Sequence, residues 1–361
     1  MSSRYGQPSH GARLRSAVVS AVSLRIAVSA LLLTALAPSA ALADDSEAFF
    51  RANPLTIVVG YAPGGGYDQA ARILARHYTK HIPGAPKIIV RNMPGAGTVV
   101  AANFVTNTAP RDASVIGLYA DMLLLAPLLD LKGAQFDPRT FSWIGSLASR
   151  GTPVLVVRTD APAKTLAEAH DKELLIGASG MADAPATYAL LLNDVLGLKL
   201  KVLSGYRGGT SEIDLAIERG EIHGRASKDW DTLKRQDWLA KGLAKVMLQV
   251  SLKPTPDLPG VPVALDLAKT AGDRQVMEMV LGSNEFFRAF SAPPGVPPDR
   301  LAALRTAFAA TMKDPDFVKE FTNAYVGGVT YTTPSQIEAF MTRVYAFPPE
   351  VVKRAAKFVA S

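Results

Sequence analysis

Thr56-Ile57-Val58-Val59-Gly60-Tyr61-Ala62-Pro63-Gly64-Gly65-Gly66-Tyr67-Asp68, continuing as Gln69-Ala70-Ala71-Arg72-Ile73-Leu74, passes from a β-branched apolar segment through a glycine turn into a helix-period segment. A buried strand, a turn and a helix are predicted. Glycines permit positive φ and remove side-chain bulk, so backbone N–H groups can approach a ligand, and the helix N-terminus favours an anion. Carboxylate and phosphate both suit such a turn. A tight strand-to-helix turn with no ligand is the simpler alternative.

Two nucleotide motifs fail on this stretch. The phosphate loop needs Gly-Lys followed by Ser or Thr, and Gly66 is followed by Tyr67. The dinucleotide fingerprint needs a further Gly or Ala after Gly64 and Gly66, where Gln69 stands.

Outward from the turn, short β-branched runs alternate with helical patterns, as in mostly parallel sheets covered by helices. First-half strands are expected at Thr56 to Val59, Lys87 to Arg91 and Ser114 to Tyr119. The pattern restarts after Phe141 to Gly145, with strands at Pro153 to Val157, Leu174 to Ala178, Lys199 to Leu203, Glu221 to Ala226 and Lys245 to Val250. The prolines of residues 254–262 exclude helix and central strand. Beyond them, Asn284 to Ala292 is expected as a strand returning to the first lobe, before a helix over Asp299 to Met312. The fold expected is α/β and two-lobed, with two crossover strands: residues 44–150 in lobe one, 151–285 in lobe two, and 286–361 returning to lobe one with the C-terminal helices.

The opening residues carry Arg4, Arg13, Arg15 and Arg25 and no acid, then an apolar run from Ile26 to Ala37. This is the pattern of a secretory signal peptide over residues 1–43, cleaved after Ala41-Leu42-Ala43. A membrane anchor needs ~20 apolar residues, more than this run supplies. Loss of that segment lowers the formal charge from +7 to +3 on a mature chain from Asp44. The remaining positive residues are interleaved with acids, against a nucleic-acid partner. The chain has no cysteine, so disulfides, thiolate metal sites and cysteine nucleophiles are excluded.

A second strand-turn-helix unit runs from Leu174 to Ala178 through Ser179-Gly180-Met181 into a helix near Pro185 to Leu196. It is placed to aim a second set of N–H groups at a cleft. Ser179 does not sit in a nucleophile elbow, because Met181 occupies the required glycine position. His77 and His81 have metal-chelating spacing, but Tyr78 stands where the zinc-protease glutamate belongs. Two histidines in a last turn complement the helix dipole from solvent. Glu212, Asp214, Glu218 and Arg219 are expected on the exposed face of a helix, with Leu215 and Ile217 toward the core. Arg225 would pair with a second ligand carboxylate if it points inward; alternation puts it opposite Ala226 without deciding between cleft and solvent.

Pro63-Gly64-Gly65-Gly66-Tyr67-Asp68 with Ala71-Arg72, then Asn92-Met93-Pro94-Gly95-Ala96-Gly97, resembles the paired N-terminal signature of tripartite tricarboxylate transporter receptors, the Bug-type proteins. Leu258-Pro259-Gly260-Val261-Pro262 resembles their Leu-Pro-x-Val-Pro turn, and Ala292-Pro293-Pro294-Gly295-Val296-Pro297 their crossover. The resemblance implies a two-domain periplasmic binding protein that closes on small organic carboxylates and delivers them to membrane subunits of a transporter. By family position, Asp121, Tyr206 and the segment Ser227 to Trp230 with Asp229 face the cleft; Tyr206 and Trp230 as packing residues, and Asp121 or Asp229 as helix caps, are the alternatives. The second lobe departs from the family pattern at Gly177 to Asp183 and at Leu203 to Gly209, so the ligand need not be that of better-known members.

The expected ligand-binding set is therefore Ala62, Gly64, Gly65, Gly66, Tyr67, Asp68, Asp121, Ser179, Gly180, Met181, Tyr206 and Asp229. No catalytic residue, metal or cofactor is expected, the protein is read as a monomer and not an enzyme, and its location as periplasmic. A receptor that reports to a sensor protein, and a periplasmic enzyme on the same fold, are the rival readings.

Overall fold

The structure, a computed structural model, describes residues 1–2, 38–147, 151–180, 183–206, 210–325 and 327–359. The expected signal segment therefore lies almost wholly outside the described residues. Helix α1 (Pro38–Ala52) leads into β1 (Leu55–Val59), α2 (Gly66–Tyr78), β2 (Ile88–Asn92), α3 (Val99–Asn107), β3 (Val115–Leu118) and β4 (Ser142–Ser146). The chain crosses to β5 (Pro153–Arg158), α4 (Leu166–Ala169), β6 (Leu174–Ala178), α5 (Ala184–Leu196), β7 (Leu200–Ser204), α6 (Thr210–Arg219), β8 (Gly224–Asp229), α7 (Trp230–Lys234) and β9 (Ala244–Gln249). From α8 (Ala271–Gly282) it returns through β10 (Ala289–Ala292) to α9 (Pro298–Thr311), α10 (Pro315–Ala324), α11 (Pro334–Val344) and α12 (Pro349–Val359).

These strands form two five-stranded sheets, ordered β2-β1-β3-β10-β4 and β7-β6-β8-β5-β9. This is the expected two-lobed α/β fold with two crossover strands. In each sheet one strand runs against the rest: β10 is antiparallel to β3 and β4, and β5 to β8 and β9. Both reversed strands are the ones arriving from the other lobe. The parallel strands end at the cleft, so a strand that enters from the cleft must run the other way.

Sequence patterning placed most strands within a residue or two, with four departures, the first being β8, expected at Glu221 to Ala226 and found at Gly224–Asp229. Ser142–Ser146, expected only as the end of a pattern, is strand β4, with Trp143 and Ile144 buried. The returning strand starts at Ala289, because residues 283–286 close a 3-10 turn after α8. On α6 the buried stripe is Ile213, Ala216 and Ile217, while Leu215 is exposed and Glu218 accepts a hydrogen bond from the Trp238 indole N–H at 2.8 Å. Glu212, Glu218 and Arg219 are exposed and Ile217 is buried as expected; Leu215 is turned out, and Asp214 is half-buried because Arg225 and Lys228 bind it.

The outer face of the first sheet packs Ile57, Val59, Leu118 and Phe290 against Leu74 of α2, Phe308 of α9 and Phe317 of α10. The outer face of the second sheet covers Val154 and Val156 with Ile213, Ile217 and Trp238. The largest cluster belongs to neither lobe alone: it joins Val58, Val105 and Trp143 to Leu155, Leu174 and Tyr188 through Val276, Met277 and Phe340. Helix α12 ends the chain on α5 and α8, burying Val351, Ala355 and Phe358. At ~1.5–3 kcal/mol for each large apolar side chain fully buried, this docking ties the C-terminus to second-lobe elements.

Candidate functional site

The glycine turn is shaped from within. Gly64 adopts φ +85°, a conformation that favours glycine, and its N–H donates to Asp68 Oδ2 at 2.8 Å. Asp68 is 3% exposed. It also accepts from Asn92 Nδ2 at 2.9 Å and Arg72 Nε at 3.0 Å. Burial pushes the Asp68 carboxyl up, but the bonds from Arg72, Gly64 and Asn92 together outweigh it and hold the pKa below the ordinary value. Asp68 thus serves the turn, and the exposed backbone of Ala62, Gly64, Gly65 and Gly66 is what the turn presents.

Opposite Gly66 stands Arg288, at the start of β10. It is 6% exposed and has φ +63°, a strained backbone for a residue with a side chain. Its guanidinium carbon lies 4.1 Å from the Tyr325 ring centroid, 4.2 Å from Phe287, 5.7 Å from Tyr67 and 5.9 Å from Phe321. Such cation–π contacts hold a cation at ~0.5–2 kcal/mol each. Tyr67 stacks on Tyr61 at 4.2 Å, and the Tyr325 hydroxyl donates to the Gly66 carbonyl at 2.5 Å. Arg288 is therefore held by packing.

A cavity of about 580 Å³ opens between the lobes. First-lobe elements contribute Phe287, Arg288, Ala324 and Tyr325; the second lobe contributes Ser179, Asp183, Tyr188, Arg225 and Asp229, with Gly151 and Pro153 at the crossover. Its volume is that of a small-molecule site. A second cavity of about 590 Å³, lined by Ser251, Lys253, Glu285 and Thr332 among others, shares Pro153 with it. The Asn284 Nδ2 donates to the Tyr188 hydroxyl at 2.5 Å between these two spaces.

Of the residues expected from sequence, Ser179 and Asp229 reach the cavity wall, and Gly66 and Tyr67 border Arg288 and Phe287. Asp121 is buried at the opening of the 3-10 turn after β3. Tyr206 is half-buried against the outer cluster of the second sheet, near Gly177. Gly180 donates its N–H to Asp183, and Met181 lies outside the described residues. Asp229 caps α7 through Thr232 N. His77 and His81 face acids rather than solvent: their Nε2 atoms lie 2.7 Å from Glu320 and 2.7 Å from Asp314, linking α2 to α10.

Sequence reasoning missed Arg288, Tyr325, Phe287, Tyr188 and Asp183. One signal was available: Arg288 is the single charge in the run Phe286-Phe287-Arg288-Ala289-Phe290, where a buried cation needs a reason. Arg225, left undecided by alternation, is 5% exposed and lines the cavity. Burial pushes its pKa down against the upward pull of Asp214.

Over residues 70–343 the sequence matches the tripartite tricarboxylate transporter family receptor. The chain belongs to this family. Its members are periplasmic solute-binding receptors, Bug-type proteins among them. A UPF0065 protein from the gbd 5′ region of Cupriavidus necator is 28% identical over 308 residues, covering 83% of this chain and 85% of its own. The ligand-free TctC solute-binding protein from Polaromonas superposes with a TM-score of 0.65 at 21% identity, over 84% of this chain and 98% of that one. MatC from Rhodopseudomonas palustris with bound malate gives 0.52 at 22% identity, over 85% and 99%. At these identities the two structures show a shared fold.

Proposed function

We propose that this receptor works in the periplasm, captures a small organic carboxylate between its lobes and presents it to the membrane subunits of a tripartite tricarboxylate-type transporter, with no chemistry performed on the ligand. The observation that carries this is the convergence of buried arginines from both lobes, Arg288 and Arg225, on one cavity. Residues 44–150 with 286–348 act as one jaw and residues 151–285, with α12 docked on them, as the other. Backbone of Gly65, Gly66 and Tyr67, the opening turn of α2, supplies further donors to an anion, and Ser179 and Asp229 face it from the second jaw. The malate carried by MatC supports the ligand class.

Hydrogen bonds to a charged group contribute ~1.5–3 kcal/mol each, so a few convergent donors support micromolar affinity after association costs. A ligand that binds only the folded state stabilises it by about 2.7 kcal/mol at a hundredfold excess over Kd. In a thermal-melt panel of carboxylates, amino acids, sugars, phosphate esters and nicotinamide nucleotides, carboxylates are expected to raise Tm. Stabilisation by sugars or nucleotides with none by carboxylates would overturn the assignment.

A further inference from the structure

The second lobe does not offer the amide-lined anion site that its strand-turn-helix pattern suggests. Asp183 Oδ2 already accepts from Ser179 N at 2.6 Å, Ser179 Oγ at 2.5 Å and Gly180 N at 3.3 Å, and its Oδ1 accepts from Ala186 N at 3.0 Å. Pro185 brings no N–H. The turn is closed on its own carboxylate, and positive charge on this wall comes from β8 instead.

There, two cations share one acid. Arg225 Nη1 donates to Asp214 Oδ1 at 2.9 Å and to the Thr210 carbonyl at 3.2 Å. Lys228, 0% exposed, bonds the other Asp214 oxygen, and its ammonium lies 4.7 Å from the Trp238 ring centroid. Gln236 Nε2 adds a donor to that same oxygen at 3.4 Å. The residues are three apart on a strand, where alternation would set them on opposite faces. They meet because β8 carries an extra residue against β5: Val154 pairs with Lys228 but Val156 with Arg225.

A buried ion pair is neutral, whereas a buried cation in excess calls for an anion. The other acids on this wall make no hydrogen bond to Arg225, Asp183 bonding its own turn and Asp229 Oδ1 bonding Thr232 N and Oγ1, and they act on the guanidinium only through space. Among the described residues the buried Arg225 Nε–H has no hydrogen-bond partner, the kind of atom that needs an explanation.

We propose that Arg225 is the second-lobe anion site, kept available by Lys228, and that the ligand is a dicarboxylate whose two ends are held by Arg288 and Arg225. This rests on the carboxylate-receptor reading and deepens it. Lys228 is a positioning residue: by holding Asp214 it leaves Arg225 a charge that a one-to-one pair would have used. Tyr188, Pro185, Ala324 and Phe287 line the same cavity and suit the ligand's apolar middle.

Succinate, adipate, suberate and terephthalate are titrated calorimetrically against the wild-type protein, each beside its monoamide. At least one diacid is expected to bind roughly tenfold or more tightly than its monoamide, the equivalent of one charged hydrogen-bonding contact. Arg225→Met leaves Lys228 and Asp214 as a balanced pair, so a folded protein is expected, and the diacid preference should collapse. Lys228→Met should shrink the same preference, which a purely structural role would leave intact. Equal binding of each diacid and its monoamide by wild type overturns the inference while the carboxylate reading stands. A diacid preference that survives in folded Arg225→Met protein also overturns it. Failure of every diacid and monoamide to bind overturns both.

Discussion

Asp68 is a carboxylate at the glycine turn that works by holding shape. Its removal in Asp68→Ala leaves Gly64 N–H, Asn92 and Arg72 without their shared acceptor, and a loss of about 2–4 kcal/mol is expected in urea melts. Ligand affinity should fall as well, since the turn loses its internal anchor. The pH dependence has a definite sign. The folded-state pKa of Asp68 is depressed, so its contribution is complete above the unfolded value of about 3.9 and is lost as pH falls through the folded value. The stability gap between wild type and Asp68→Ala is therefore expected to narrow in acid, and a gap that stays constant down to denaturing pH would mean that charge is not what holds the turn.

Among elements, the junction of β6 with β8 is the thinnest in either sheet, with one paired position at Ile176 and Gly224. His223 reinforces it twice. Its backbone N–H donates to the Leu175 carbonyl at 2.9 Å, and its ring Nδ1 accepts the Leu175 N–H at 2.9 Å. An accepting Nδ1 requires neutral imidazole, and burial holds the His223 pKa below the ordinary value. Its stabilising effect is present above the unfolded pKa of about 6.5 and lost as pH falls toward the folded one. Stability measured by chemical denaturation should decline below about pH 6.5 in wild type and decline less in His223→Gln. Identical pH profiles would remove His223 from the account. Neither this bond nor the β8 bulge beside it was legible in the sequence, because a bulge is set by what the neighbouring strands require and leaves no local signature in Gly224-Arg225-Ala226-Ser227-Lys228-Asp229.

At the scale of the molecule, the largest apolar cluster runs from the first lobe into the second through α8, α11 and α12. Two jaws sharing one core cannot melt independently. Calorimetry of the unliganded protein is expected to show one transition with calorimetric and van't Hoff enthalpies in agreement. Two resolved transitions would show that the lobes are separate cooperative units. Closure on a ligand is therefore expected to bend the chain around residues 283–288, where it returns to the first lobe, while that shared core stays packed.

The two-lobed alternation, the glycine turn before α2, the proline-rich loop of residues 254–262 and the family itself could all be read from the chain alone. Each depends on local rules: the period of apolar residues, the φ freedom of glycine, the missing donor of proline. The wall of the cavity was decided by the tertiary structure. Arg288 acquires its aromatic cage from Tyr325 and Tyr67, far away in sequence, and Asp214 becomes a half-buried acid only when β8 brings Arg225 and Lys228 to it. Whether a charge is solvated or buried, and which partner it finds, follows from how elements pack, and no single segment carries that information.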